Sequence, residues 1–187
     1  RGFNYSTAFE VALKMKETSY LVAEPYSPAD LLHGPVAMID KGFPVLLVAP
    51  SGRVLSDVAQ LAGQLERRSA EIVAISDDPG VLGRARVALP LPAGTPEWVS
   101  PMVAVVPGQM FAVALARARG RDLPESCRIA EILADPNPAN RQRPLERELQ
   151  NVDRRYVAGG IAVVHQRAEW CRAIEGFHKR ILADPIE

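Results

Sequence analysis

The chain has 187 residues, 48% hydrophobic, 24% charged and 6% aromatic, a make-up that excludes disordered, collagenous and disulfide-framed classes. Its 22 Lys and Arg offset its 22 Asp and Glu, so no net charge draws it toward nucleic acid or an anionic membrane. Cys127 and Cys171 stand outside any CxxC or Cys/His spacing, which points away from a metal or redox centre and toward a reducing, cytoplasmic setting.

The chain opens at Arg1-Gly2-Phe3 without methionine or a secretory n-region, and is expected to be a piece of something longer. Thr7-Ala8-Phe9-Glu10 has capping-box spacing and good helix formers follow, predicting a helix from about Ser6 to Val22. Ser27-Pro28-Ala29-Asp30 reads as an N-cap, a first-turn proline and an acid three residues on. It predicts a helix of about two turns that Gly34-Pro35 closes, with His33 in its last turn.

The apolar run from Phe43 to Ala49, stopped by Pro50-Ser51-Gly52, predicts a strand buried on both faces of a parallel sheet. Val54, Val58, Leu61 and Leu65 fall on one helical stripe, and Glu71 to Ser76 is a second buried strand, which completes a right-handed strand-helix-strand unit. Asp77-Asp78-Pro79-Gly80 ends that strand, Val87-Ala88-Leu89-Pro90 predicts a third, and Ser100-Pro101 opens a long apolar helix closed at Gly120. The window from Trp98 to Ala116 has the length to cross a bilayer, but Ser100, Pro101, Pro107, Gly108 and Gln109 within it favour a buried core helix. The expected class is α/β, a three-layer αβα sandwich around a parallel sheet, over residues 1–124. Residues 125–187 hold the prolines 136, 138 and 144, a Gly159-Gly160 break and mostly helix-compatible sequence; a helical appendage is expected there.

Glu10, Lys14 and Glu17 recur at i, i+4 and i+7 and so project from one helix face. By residue type alone they are ion pairs on a solvated face, worth only ~0.3 to 0.5 kcal/mol each, or part of an acid/base site that needs a partner. His33 offers one, at a helix end whose dipole favours the imidazolium, although a lone histidine there is more often a simple C-terminal helix residue. Gly159-Gly160 and Ser51-Gly52 lack the context of a phosphate loop and take turn roles. His165 and His178 share no helical face, and the arginines at 141, 143, 147, 154 and 155 are interleaved with acids.

Arg1-Gly2-Phe3-Asn4-Tyr5, Ala12-Leu13-Lys14-Met15-Lys16-Glu17, Ala23-Glu24-Pro25-Tyr26 and Leu32-His33-Gly34-Pro35 follow one another in the order and spacing of the sugar isomerase (SIS) domain. The run resembles the C-terminal SIS domain of glucosamine-6-phosphate synthases (glutamine:fructose-6-phosphate aminotransferases) and of SIS-type glucosamine-6-phosphate deaminases. The likeness continues through residues 44–50 and the helix from Pro101 to Gly120, about two thirds of the chain.

The resemblance implies interconversion of ketose and aldose phosphates by proton transfer between carbons one and two through an enediol or enolamine. It implies Glu17 as the base, His33 as the group that assists ring opening from a neighbouring subunit, and Lys14 as the cation that holds the carboxylate. It implies a phosphosugar substrate, a homodimer, and neither a metal nor a cofactor. Departures from the family pattern are equally visible. Arg121-Asp122-Leu123-Pro124 begins like the family's tail, yet no lysine occurs between Lys41 and Lys179 to form the family's Schiff base. The phosphate-gripping first SIS domain and the strand expected before Arg1 are not present. A phosphosugar-binding regulatory module is the alternative to a catalytic domain.

Overall fold

The computed structural model describes residues 2–120 and the strand 161–164. In chain order, helix α1 covers Tyr5–Lys14 and runs into a π-helical turn, Met15–Ser19; strand β1 is Ala23–Tyr26. Helix α2 (Pro28–Leu32) and a 3-10 turn (Pro35–Met38) lead to β2 (Pro44–Ala49), α3 (Leu55–Arg67) and β3 (Glu71–Ser76). Short α4 (Pro79–Leu82), β4 (Val87–Pro90), long α5 (Ser100–Ala118) and β5 (Ile161–Val164) complete the described elements.

The sheet order is β1-β5-β2-β3-β4. β2, β3 and β4 are parallel, with Val45 opposite Ile72 and Ala74 opposite Ala88. Strand alternation sends successive side chains to opposite faces, and two cores result. Val45, Leu47 and Ala49 pack with Ile72 and Ala74 against Val58, Leu61, Ala62 and Leu65 of α3. Leu46 and Val48 pack with Val73 and Ile75 against Val11, Ala12 and Met15 on one helix and Ala104, Phe111, Ala112 and Leu115 on α5. Helices cover both faces of the sheet, so the three-layer αβα expectation holds.

Several local expectations are corrected. The first helix starts at Tyr5 behind an Asn4 cap position, with Thr7 already inside its first turn, and it ends at Ser19 because Tyr20 takes a left-handed conformation (φ 55°). Residues 23–26, for which no element is expected from the sequence, form β1. Proline and an exposed glutamate are tolerated there because β1 is an edge strand. The sheet is not wholly parallel: β5 runs antiparallel to both β1 and β2, pairing Tyr26 with Ile161 and Leu47 with Ile161. This strand falls in a stretch read as helix-compatible. The rest of the expected appendage, with Cys127, Cys171, His165, His178 and the arginine cluster, lies outside the described residues.

α5 is the one described helix long and apolar enough to cross a bilayer by length and composition. It buries a single face, through Ala104, Gly108, Phe111, Ala112 and Leu115, while Met102 and Met110 are 73% and 63% exposed. It is thus a one-sided layer helix rather than a fully enclosed core helix.

Candidate active site

The outward face of α1 carries the charged stripe because the opposite face is committed to the core: Ala8, Val11, Ala12 and Met15 are buried. Lys14 Nζ donates to Glu17 Oε2 at 3.1 Å and lies 3.7 Å from Glu10 Oε1. The Lys14 side chain is the most enclosed of the three, 19% exposed against 35% for Glu10 and 44% for Glu17. Lys14 therefore organises the two carboxylates from beneath, and Glu17 is the group most open to a small molecule.

Glu17 stands in the middle of the π turn. Two hydroxyls shape this turn by bonding back to earlier carbonyls: Thr18 Oγ1 donates to Lys14 O at 2.7 Å and Ser19 Oγ to Met15 O at 2.6 Å. A π turn inserts an extra residue into the helical circuit and re-aims what it carries, which is why such turns gather at functional sites. Apolar periodicity does not register it. The paired hydroxyls of Thr18 and Ser19 just after Lys14-Met15-Lys16-Glu17 are the only sequence signal for it.

α1 and α5 lie side by side and run in the same direction, joined at start, middle and end. Asn4 Nδ2 donates to Ser100 Oγ at 2.7 Å, Gln109 Nε2 to Glu10 Oε1 at 3.2 Å, and Arg119 Nη1 to the carbonyl of Ser19 at 2.6 Å. Gly108 makes the closeness possible: a methyl group on its Cα would overlap Val11 Cγ2.

His33 occupies the C-cap of α2, as its sequence position implies, with its backbone N–H bonded to Ala29 O. The helix begins as expected, the Ser27 hydroxyl accepting from the Asp30 N–H at 3.2 Å. The imidazole is exposed, and among the described residues no hydrogen bond or ion pair joins it to Lys14 or Glu17. Within one chain, therefore, the structure brings Lys14 and Glu17 together and leaves His33 facing solvent.

At the carboxyl ends of β2 and β3, where open α/β sheets commonly receive ligands, the loop amides are already engaged. Ser51 N–H donates to Asp77 Oδ1 at 2.6 Å and Arg53 N–H to Glu97 Oε1 at 3.0 Å. Gly52 allows this, since a Cβ there would collide with the Glu97 side chain. Two carboxylates of the chain itself fill the position where an anion would be cradled, in keeping with a turn role for Ser51-Gly52. No group of three or more His, Cys, Asp or Glu side chains suited to a metal occurs among the described residues.

Comparison with known proteins gives the family. The SIS domain family matches residues 1–118. Glutamine–fructose-6-phosphate aminotransferase [isomerizing] of Gloeobacter violaceus is 35% identical over 133 residues, 70% of this chain and 22% of that protein. The enzyme of the same name from Thermococcus kodakarensis is 39% identical over 122 residues, 65% of this chain and 20% of that protein. The solved C-terminal domain of glucosamine-fructose-6-phosphate aminotransferase from Francisella tularensis superposes with a TM-score of 0.57 at 31% identity, covering 65% of this chain and 34% of that one. The chain thus spans about a fifth of the length of these curated relatives. With the match running from the start of the chain to the last turn of α5, the chain belongs to the SIS domain family.

Proposed function

We propose that this chain supplies the acid/base half of a sugar-phosphate isomerising site, within a longer, cytoplasmic, homodimeric enzyme of the glucosamine-6-phosphate synthase or deaminase kind. The observation that carries the reading is the Lys14–Glu17 contact of 3.1 Å at the π turn. Glu17, half open to solvent and paired with the more enclosed Lys14 side chain, is arranged to take a proton from one sugar carbon and return it to the next. Lys14 keeps that carboxylate oriented while it waits. His33, exposed at the end of α2, is directed at the corresponding site of a second subunit, where an imidazole would pass a proton to the ring oxygen as the sugar opens.

Charge supports a division of labour. Glu10, Lys14 and Glu17 sum to one negative charge, so this cluster does not attract a phosphate, and the β2 loop amides already hold Asp77 and Glu97. The substrate's phosphate is therefore gripped away from this cluster and the β2 loop, leaving carbons one and two beside Glu17. Amino transfer and deamination share this proton shuttle and differ in how ammonia arrives or leaves.

The test is Glu17→Gln in the full-length enzyme, which keeps size and removes the base. Interconversion should fall at least ~100-fold, the lower range of general acid/base contributions, with little change in substrate affinity. Exchange of the transferred hydrogen with solvent deuterium at the parental rate would remove Glu17 from the mechanism.

A further inference from the structure

The acid/base cluster on α1 has a member on α5. Gln109 Nε2 donates at 3.2 Å to Glu10 Oε1, the same oxygen that lies 3.7 Å from Lys14 Nζ, and Lys14 Nζ in turn donates to Glu17 Oε2 at 3.1 Å. We infer that Gln109 is a positioning residue for the proton shuttle: it fixes the Glu10 carboxylate, which places the Lys14 ammonium, which orients Glu17. The inference rests on the reading of Glu17 as the base.

The residue type suits the task. Glu10 and Glu17 both press toward one ammonium, and a half-buried glutamate at i−4 has several rotamers that reach it. A neutral amide donor settles Glu10 in one of them without adding a second cation that would compete with Lys14 for Glu17. A lysine or arginine at the same place would draw off the carboxylates.

The backbone places the amide with little slack. Gly108, the preceding residue, sits against Val11, the residue after Glu10, at a separation that admits no methyl group. Two adjacent pairs, Gly108 with Val11 and Gln109 with Glu10, therefore lock the helices together. Pro107 adds to this by withholding a backbone N–H from the carbonyl one turn earlier and fixing its own φ, just before the contact. A long apolar helix with proline, glycine and glutamine in succession thus carries a polar side chain at its middle where α1 needs it.

The test has two arms. In the first, Gln109→Met keeps length and removes the donor, and the Lys14 ammonium is observed by nitrogen-edited NMR. Loss of its cross-peak through faster exchange with water is expected, with the amide spectrum of α1 otherwise retained. An unchanged Lys14 signal overturns the proposal.

In the second arm, the full-length enzyme is assayed. Gln109→Met should lower kcat about 10- to 100-fold through misplacement of the base, with KM unchanged. Gln109→Glu regains a donor only when its new carboxyl binds a proton, so its kcat should recover toward acid pH, a profile that a packing role would not produce. Parental kcat in both variants overturns the proposal. Parental activity in Glu17→Gln combined with a lost Lys14 cross-peak in Gln109→Met would instead refute the catalytic reading beneath it: Gln109 would order the cluster, but not for this reaction.

Discussion

Arg119 Nη1 donates to the carbonyl of Ser19 at 2.6 Å, so the last turn of α5 closes the π turn that carries Glu17. A helix leaves its final carbonyls without intrahelical donors, and a guanidinium is well suited to such a group at a C-terminus. The contact spans 100 residues of sequence and ends two residues from the proposed base.

Replacing Arg119 with Met should therefore do more than remove a surface charge. Loss of a charged donor to a part-buried carbonyl is expected to cost about 1.5 to 3 kcal/mol in denaturant unfolding. Hydrogen exchange should rise over Met15 to Ser19 ahead of the rest of α1. Exchange that rises evenly along the helix, or not at all, would show that Arg119 does not hold the turn.

Gly108→Ala tests the helix contact from the packing side. The added methyl meets Val11 in a well-filled layer, where overpacking typically costs about 1 to 3 kcal/mol, although alanine is intrinsically the better helix former by roughly 1 kcal/mol. Net destabilisation is expected, and Val11→Ala in the same chain should relieve it. A stabilised Gly108→Ala protein would mean that α5 can stand away from α1 at no cost.

Subunit sharing of His33 makes a sharper claim. In the full-length enzyme, Glu17→Gln and His33→Ala should each be nearly inactive, while co-refolded mixtures regain activity through sites that pair an intact Glu17 with the other chain's intact His33. If His33 only caps α2, His33→Ala loses about 1 kcal/mol of helix-end stabilisation and keeps most of its activity. Confirmed mixed dimers no more active than the separate mutants would refute the shared site.

Away from the site, Tyr26 Oη donates to Glu24 Oε2 at 2.7 Å, and this hydrogen bond, with desolvation and the nearby negative charge, pushes the phenol up to about 12. The protonated phenol is favoured in the folded state. Its contribution is full below the unfolded value near 10 and is lost as pH rises from about 10 to 12. Labelled-tyrosine NMR should show Tyr26 titrating near the top of that window, and Glu24→Gln should lower its midpoint. An unmoved midpoint would assign the shift to burial instead.

Much of the sheet is legible in the sequence because β2 and β3 are continuous apolar runs bounded by turn residues, and α3 displays its stripe at Val58, Leu61 and Leu65. β1 is not legible. Ala23-Glu24-Pro25-Tyr26 lacks the alternation of a half-buried strand and holds together as an edge through backbone pairing. The site shows the same split. Glu10, Lys14 and Glu17 announce themselves by local spacing, whereas Gln109 and Arg119 act across about 100 residues and are hidden inside a helix whose apolar character alone suggests complete burial. Asn4 is similar: its amide crosses to Ser100 rather than capping its own helix, so the local signal at Thr7 misplaces the cap, which stands at Asn4.

Strand β5 has a temporal consequence. Within the described sheet, β1 reaches β2 only through β5, and the pairing of Tyr26 with Ile161 joins positions 135 residues apart. Local structure such as α3 between β2 and β3 can assemble as it leaves the ribosome, but the seam between β1 and β2 stays open until position 164 has emerged. Closing so long a loop late in synthesis is slow relative to hairpin or helix formation, and it leaves two strand edges uncovered meanwhile. Between translation of Ala49 and of Val164 the facing edges of β1 and β2 therefore stand open to mispairing.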